Sequence, residues 1–517
     1  MSLAIESTFE PQCDWICPQL TEDARQTCIL FKQVDEMFCM PAAEIHIIDG
    51  SPLCSVSLRF PLEHIPPKLR KAWDLGDSFL ITIRLDAVHC ITYRSHDHNP
   101  RVVAIRDNDD TPSVFPIGSA LSNAAMNNIS SVFHITSCDS DRNNFIMELY
   151  KQLELRLRRI TEFCISCGNP LPSGGSLPSV CDRTLCIYQC IELHLFDNLV
   201  TPRISSEVLD LLLLALHSAN RSSRRTVVLN PEPIVPNIDA FKDEVLKLGG
   251  DAILCLDAKE LLRALDNVSP CPKVVLESIS HFKNFRNKNP AIFGVFQWLS
   301  ISHKAYLERL PTEKTLKFLQ TDIQYLFVSD TPTKQLEFES LVNENNGKTR
   351  FLFHGSSIDN WHSIIRGGLK NMSGTNNQLN GSAFGSGIYL SPHLATSLGY
   401  SQSGGRILRD CCRGNKCCLA SNDSIHIVAL VEVVDHTQAY TTVNEDRGVI
   451  VVNNEKWCSL RMLLLYPSTT QKPFQLGYFG ERNMCNLNKI STENRCKISQ
   501  FVELFKSTDV VSRSDMN

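Results

Sequence analysis

The chain has 517 residues, of which 43% are apolar and 21% are charged, and its formal net charge is −5 at pH 7. This composition is close to the average for globular proteins, so it excludes a mostly disordered, collagen-like or coiled-coil chain. The length exceeds that of one ordinary core and predicts several domains. The charge gives no global basic footprint, so we do not expect nucleic acid as a partner.

Residues 1–110 carry the pattern of a small α+β module. Apolar runs with a period of two begin near Glu44, Val56, Phe79 and Val102, and turn residues separate them. This pattern predicts an antiparallel sheet, which a helix over about 22–40 is expected to cover. No catalytic constellation stands out, so we interpret the module as a scaffold or partner-binding domain.

The rest of the chain divides by composition. Residues 111–145 are rich in Asp, Asn and Ser and predict a linker, after which a basic helix is expected over Met147 to Ile160. Residues 201–275 mix helix and strand patterns without a motif. Residues 276–500 change from aromatic-rich helices to short strands with glycine turns, and 501–517 form a polar tail.

Cellular context follows from what the sequence does not show. We find no apolar run long enough to cross a bilayer and no basic, apolar signal peptide at the N-terminus. We therefore expect an intracellular protein, cytoplasmic in the first place, with a nuclear or nuclear-envelope location as the alternative. The 21 cysteines are an odd number, and in a reducing compartment they predict metal ligation or reduced thiols rather than a disulfide framework.

The segment 146–200 contains cysteines with the spacing of metal ligands. A C-x2-C pair is followed by a glycine-containing loop and a second pair, which together can surround Zn²⁺ tetrahedrally. Four thiolate ligands leave no open position, so the predicted role is structural. Ordinary reduced cysteines are the alternative, and Cys190 could replace Cys186 as a ligand. The four candidate ligands are Cys164, Cys167, Cys181 and Cys186.

A motif with chemical content begins at the end of an apolar strand. Residues 351–353 are apolar, and His354, Gly355 and Ser356 follow them directly. A glycine-spaced loop lies at 381–387. These glycines match neither the phosphate-binding P-loop nor the dinucleotide fingerprint, so the corresponding kinase and dehydrogenase signatures are excluded.

A short strand and a helix complete the motif. The glycine loop leads into a strand with Tyr389 at its centre. Ser391 and Pro392 are predicted to be the N-cap and first residue of a helix. That helix carries Ser397 and Tyr400, which are three residues apart and therefore lie on one face.

The order of these residues resembles the ADP-ribosyltransferase domain of the poly(ADP-ribose) polymerase (PARP) superfamily. The matching elements are His-Gly-Ser, Trp361, Gly-x-Gly-Ile-Tyr and Ser-x-x-Tyr, with eight residues from Tyr389 to Ser397. The aromatic run Phe296-Gln-Trp298-Leu and the cysteine segment resemble its cysteine-rich mono-ADP-ribosyltransferase subgroup. The resemblance implies an α+β multidomain chain with a C-terminal diphtheria-toxin-like fold of two packed, mostly antiparallel sheets and flanking helices. The N-terminal module is similar to the ubiquitin-conjugating-like fold of this subgroup.

The resemblance also implies roles for the motif residues. NAD would lie in a cleft between the two sheets. His354, assisted by Ser356, would bind its adenosine ribose. The backbone of Gly355 would bind the carboxamide of nicotinamide, and Ser397 would donate its hydroxyl to the same amide. Tyr389 and Tyr400 would sandwich the nicotinamide ring. The expected partners are NAD and protein substrates, including the chain itself.

One departure from the family pattern bears on the product. Polymer-forming relatives place a glutamate at the start of a late strand, where it binds the ribose 2′-hydroxyl. The matching position is Val449, with Ile450 as the alternative, and neither side chain can accept a hydrogen bond or act as a base. The triad is therefore His354, Tyr389 and Val449, which implies transfer of a single ADP-ribose. Glu445 could take part only if its loop folds inward.

Two other functions stay open on the sequence alone. The missing glutamate is compatible with an inactive pseudoenzyme that binds NAD or ADP-ribose and acts as an interaction scaffold, although the rest of the motif is intact. The cysteine segment and the basic helix are also compatible with a zinc-dependent interaction module. They lack the interleaved aromatic residues expected of a protein that binds single-stranded nucleic acid.

Overall fold

The structure is a computed structural model of the full chain, and its two compact units are considered separately. The first unit comprises Met1–Pro61, Leu80–Ser113 and Leu121–Arg156, and the second comprises Leu62–Phe79, Val114–Ala120 and Leu157–Asn517. Among the described helices, none combines the length and the apolar character that a membrane span requires. The described residues are 43–47, 54–75, 80–86, 102–106, 115–135, 145–192, 204–229, 232–235, 290–374, 383–401, 424–444, 448–468 and 485–504.

The first unit is built on a four-stranded antiparallel sheet in the order β1-β2-β3-β4. The strands coincide with the four period-2 runs, because alternating residues bury one face of each strand. Leu58 lies opposite Ile83 and Phe60 opposite Ile81, and all four are buried. The strands are β1 Ala43–Ile47, β2 Cys54–Pro61, β3 Leu80–Asp86 and β4 Val102–Arg106.

Helices of this region agree with the sequence only in part. The predicted basic helix is present as Phe145–Arg158, and the ring of Tyr150 stacks on that of Phe60 with centroids 4.8 Å apart. The helix predicted over 22–40 lies outside the described residues. The predicted linker 111–145 instead contains the helix Pro116–Ile135. Its overall polarity hid a helical spacing of residues that are buried, namely Ile117, Leu121 and Ala125.

The second unit contains two antiparallel sheets with flanking helices, as the sequence predicted. A five-stranded sheet has the order β5-β6-β12-β9-β7, and a three-stranded sheet has the order β10-β11-β8. The strands of the larger sheet are β5 Tyr306–Arg309, β6 Ile323–Val328, β7 Thr349–Gly355, β9 Ser424–Val434 and β12 Cys458–Ser468. Those of the smaller sheet are β8 Ile388–Leu390, β10 Tyr440–Asn444 and β11 Val449–Val452.

Helices and cysteine-rich turns surround these sheets. The described helices of this unit are Pro67–Ala72, Thr184–Glu192, Ser206–Arg221, Arg225–Val228, Pro290–Ser302, Pro332–Glu344, Trp361–Gly367, Leu394–Tyr400 and Thr492–Glu503. The segments predicted as separate domains, 146–200 and 201–275, contribute described residues to this same unit. Helix Ser206–Arg221 packs on helix Trp361–Gly367 because its apolar face needs a partner to bury it.

The central strands of the larger sheet, β9 and β12, are buried along almost their whole described length, so apolar residues occupy both of their faces. Within this apolar layer, Arg461 on β12 donates from Nε to the carboxylate of Glu432 on β9 at 2.9 Å. Its Nη1 donates to Oε1 of Gln335 at 3.0 Å, and its guanidinium lies 5.2 Å from the ring centroid of Phe338. One buried cation therefore fastens the helix Pro332–Glu344 to the sheet.

Replacing Arg461 tests this connection. We expect Arg461→Met to lower the free energy of unfolding by about 3–5 kcal/mol, because the carboxylate of Glu432 is left buried without its partner. The measurement is urea denaturation followed by circular dichroism. In the matched control Lys317→Met, the lost ion pair with Asp322 is two-thirds exposed, so a change below about 1 kcal/mol is expected. Equal effects of the two substitutions would contradict the assigned role.

Candidate active site

Three elements of the second unit meet at the predicted motif: the end of β7, the strand β8 and the helix Leu394–Tyr400. Phe353 on β7 and Ser391 after β8 exchange two backbone hydrogen bonds, of 2.7 and 2.9 Å. This pairing corrects the sequence prediction that Ser391 caps the helix. The helix begins at Leu394 with His393 as its N-cap residue, and the hydroxyl of Ser391 accepts a hydrogen bond from the backbone N–H of His393 at 3.0 Å.

His354 is held by the backbone of Tyr389. The Nδ1 of its ring lies 3.0 Å from the carbonyl oxygen of Tyr389. Because a carbonyl can only accept, we assign the ring proton to Nδ1, which leaves Nε2 as a hydrogen-bond acceptor. Burial lowers the pKa of His354 and so favours the neutral ring. His354 can therefore accept a hydrogen bond from a hydroxyl group in the cleft that it lines.

Gly355 lies directly against the helix that carries Ser397. A Cβ atom at position 355 would collide with the carbonyl oxygen of Ser397, so the approach of strand and helix requires a glycine. Ser397 is buried, and its hydroxyl donates to the carbonyl of Phe353 at 3.1 Å. To donate to an amide as the sequence predicts, this hydroxyl must rotate away from Phe353. In its present orientation its oxygen can accept from the NH₂ of an amide.

The ring of Tyr389 is fixed through its hydroxyl, which donates to the carbonyl of Gly385 at 2.8 Å and accepts from the N–H of Phe384 at 3.0 Å. Gly385 has a φ of +96°, a conformation that favours glycine in this loop. Tyr400 ends its helix with 53% of its surface exposed. One tyrosine is therefore locked into the protein, while the other is open to solvent.

Val449 is the first residue of β11 and is buried. In the ladder between β11 and β8, Val451 lies opposite Tyr389 and Ile450 opposite Leu390. Because side chains alternate between the faces of a strand, Val449 shares the face of Tyr389, whereas Ile450 points to the opposite face. The register therefore favours Val449 over Ile450 as the third triad position. Glu445 lies outside the described residues.

A cleft of about 390 Å³ adjoins this motif, and His354, Ser356 and Tyr389 line it. Ser356 accepts a hydrogen bond from Nδ2 of Asn360 at 2.9 Å. The other predicted residues, Gly355, Ser397, Tyr400 and Val449, are not among its lining residues. Five charged residues that the sequence did not predict also line the cleft. They could not be predicted because they come from separate segments without a shared motif. They are Asp182, Arg224, Lys304, Arg366 and Lys370.

The four predicted metal ligands converge in the same unit. Their sulfur atoms all lie within 4.8 Å of one another, and those of Cys167 and Cys181 are 3.9 Å apart. Zn–S bonds of about 2.3 Å place thiolates about 3.8 Å apart in a tetrahedron, so this donor set fits a thiophilic metal ion. Hydrogen bonds from the thiols of Cys181 and Cys186 lower the pKa of Cys164. The alternative ligand Cys190 is buried and lies outside this cluster.

Comparison with known proteins identifies the catalytic region. Residues 304–449 match the model of the poly(ADP-ribose) polymerase catalytic domain. Two curated relatives, from Mus musculus and Homo sapiens, are each named "Protein mono-ADP-ribosyltransferase PARP8" and are 32% identical to this chain over 265 residues. The alignment covers 50% of this chain and only 30% of each relative's length. Residues 304–449 are therefore similar to a PARP catalytic domain, in agreement with the superfamily resemblance found in the sequence.

Enlarging Gly355 tests the close approach on which the site depends. We expect Gly355→Ala to lower the free energy of unfolding by about 1–3 kcal/mol, because the new methyl group must displace the helix that carries Ser397. The measurement is thermal and urea unfolding. The control is Gly399→Ala in the same helix, where the added methyl group meets no neighbouring atom and helix propensity improves. A neutral effect at position 355 would contradict the tight contact.

Proposed function

We propose that this chain, which carries a PARP catalytic domain, is an NAD-dependent protein mono-ADP-ribosyltransferase. It would transfer one ADP-ribose from NAD to a protein side chain, its own included, and release nicotinamide. One observation carries the proposal: the hydrogen bond of His354 to Tyr389 and the contact of Gly355 with Ser397 bring the separated parts of the motif together beside a cleft.

The reaction breaks the bond between the ring nitrogen of nicotinamide and C1′ of the ribose. The electron pair of this bond neutralises the positively charged ring, and positive charge develops on the sugar in an oxocarbenium-like transition state. The site must therefore hold the leaving group. The backbone of Gly355 and the oxygen of Ser397 would bind the carboxamide, and Tyr389 and Tyr400 would enclose the ring. Aromatic stacking adds about 1 kcal/mol for each pair.

His354 would hold the sugar that does not react. Its neutral ring offers Nε2 to a hydroxyl of the adenosine ribose, and this contact would fix NAD relative to the nicotinamide-binding residues. A protein nucleophile would then attack C1′, form the new bond and lose its proton. Orientation of the donor in this way lowers the barrier to the transfer.

The third triad position limits the product to one unit. Val449 shares the face of Tyr389 and is apolar, so it cannot bind the 2′-hydroxyl of a ribose or activate it as an acceptor for a second ADP-ribose. The first transfer needs no such group if the acceptor side chain supplies its own nucleophile. The expected product is therefore mono-ADP-ribosylated protein.

Labelling with NAD that carries the label on its adenylate half tests this function. We expect one sharp labelled band at the mass of the chain on a denaturing gel. His354→Ala or Tyr389→Ala should abolish the label, because each removes a contact to NAD. His436→Ala, at a position that does not line the cleft, is the control and should leave the label unchanged.

Three other outcomes would each change the conclusion. A high-mass smear would mean polymer formation and would contradict the role given to Val449. Label that persists after both substitutions would contradict the residue roles. No label, together with NAD binding by calorimetry, would replace the enzyme with an NAD-binding pseudoenzyme.

We also propose that the cysteine cluster binds a structural Zn²⁺ ion. The four sulfur atoms that lie within 4.8 Å of one another support this assignment. Four thiolates complete a tetrahedral shell and leave no position for a substrate or water, so the ion would stabilise the fold and take no part in the reaction.

Metal analysis of the purified chain tests the zinc proposal. We expect about one Zn²⁺ per chain, and we expect Cys167→Ser to lose the ion and to lower the melting temperature, because metal binding is coupled to folding here. The control is Cys496→Ser, which changes an exposed cysteine outside the cluster. Chains that contain no metal and lose no stability on Cys167→Ser would contradict the proposal.

A further inference from the structure

The loop between the two cysteine pairs, residues 168–180, is packed against the start of the catalytic domain; we call it the knuckle loop. The N–H of Leu177 donates to the backbone carbonyl of Lys304 at 2.9 Å. The hydroxyl of Ser176 accepts from the N–H of Tyr306 at 2.8 Å and donates to the carbonyl of Val328 at 2.6 Å. The knuckle loop is thus bonded to two strands of the larger sheet, β5 and β6.

The knuckle loop contacts Lys304 at its backbone and at the end of its side chain. Besides the bond to its backbone carbonyl, the ammonium group of Lys304 donates to the carbonyl of Ser173 at 2.9 Å. A Cβ atom at Gly175 would collide with the carbonyl oxygen of Lys304, so the loop must have a glycine there to lie this close. Lys304 is only 6% exposed, and this burial lowers its pKa. The one hydrogen bond of its ammonium group goes to a neutral carbonyl, and Asp182 also acts on it through its charge. A buried ammonium group interacts strongly with any further anion that reaches it.

Lys304 is one of four cations that line the 390 Å³ cleft, against the single carboxylate of Asp182. Arg366 is already used by the fold, since it donates to the backbone carbonyl of Ser302 at 2.8 Å and lies 4.0 Å from the ring centroid of Trp298. The other three cations are Lys304, Arg224 and Lys370. This excess of positive charge among the lining residues of the cleft is complementary to a ligand with two or more negative charges.

We propose that Lys304, positioned by the knuckle loop, binds the diphosphate of the nucleotide substrate. The proposal rests on the proposed function, since it concerns how the same site binds NAD. It makes the cysteine-rich segment a wall of the substrate cleft, and it makes the cysteine pairs at the two ends of the knuckle loop responsible for the position of Lys304. Arg224 and Lys370 supply further positive charge in the same cleft.

Calorimetry on the full chain with two probes tests the role of Lys304. ADP-ribose contains the diphosphate, whereas benzamide fills only the place of nicotinamide. We expect Lys304→Met to weaken ADP-ribose binding about 10- to 100-fold, the loss of one charge-assisted hydrogen bond, and to leave benzamide binding unchanged. Lys317→Met, at an exposed lysine outside the cleft, should change neither affinity.

The outcomes separate this proposal from the proposed function. Wild-type protein that labels itself with NAD, while Lys304→Met keeps full ADP-ribose affinity, overturns only the role of Lys304. Wild-type protein that binds neither probe overturns both. If Lys304→Met loses benzamide binding as well, Gly175→Ala decides, because it displaces the knuckle loop without replacing any side chain that lines the cleft. Unchanged ADP-ribose affinity in that variant overturns the proposal.

A double-mutant cycle shows whether the knuckle loop acts through Lys304. We expect Gly175→Ala to weaken ADP-ribose binding in the wild-type background and to have little further effect in Lys304→Met. Benzamide affinity is measured in the same variants as a control, because a general loss of structure would weaken benzamide binding as well. Equal losses of ADP-ribose affinity in the two backgrounds would mean that the loop does not position Lys304.

Discussion

The contact between Gly355 and the carbonyl of Ser397 is the constraint on which the candidate active site depends. It allows the end of β7 to approach the helix Leu394–Tyr400, and the hydrogen bond from His354 to Tyr389 joins the same strand end to β8. Each interaction is modest by itself. Together they hold three separate elements in one arrangement, and the first of them requires a glycine at position 355.

The second unit, which contains the candidate active site, includes more of the chain than the residues that match the PARP catalytic domain. That match covers 304–449, yet the knuckle loop is bonded to β5 and β6, and the helix Ser206–Arg221 packs on the helix Trp361–Gly367. These additions bring Arg224 and Asp182 to the cleft. Residues outside the matched range therefore take part in shaping the cleft beside the motif.

Charge and polarity are distributed unevenly around this site. Four cationic side chains line the cleft together with His354, whose burial favours the neutral ring, and the apolar side chain of Val449 shares the face of Tyr389. The cleft is therefore complementary to an anionic ligand, whereas the side chain of Val449 can form no hydrogen bond. In the proposed function, donor binding and chain growth would depend on different residues, so the first could persist without the second.

The sequence by itself determined the resemblance to the PARP catalytic domain, the four strands of the first unit and the four cysteines that converge, because motif spacing, apolar alternation and turn residues are local signals. It misjudged 111–145, where overall polarity hid the helix Pro116–Ile135, and Ser391, whose backbone pairs with Phe353 instead of capping a helix. Only the tertiary structure decided that Val449 shares the face of Tyr389 and that Lys304 reaches the cleft. Strand register and the packing of a distant loop join residues far apart in the chain, and no local pattern encodes such contacts.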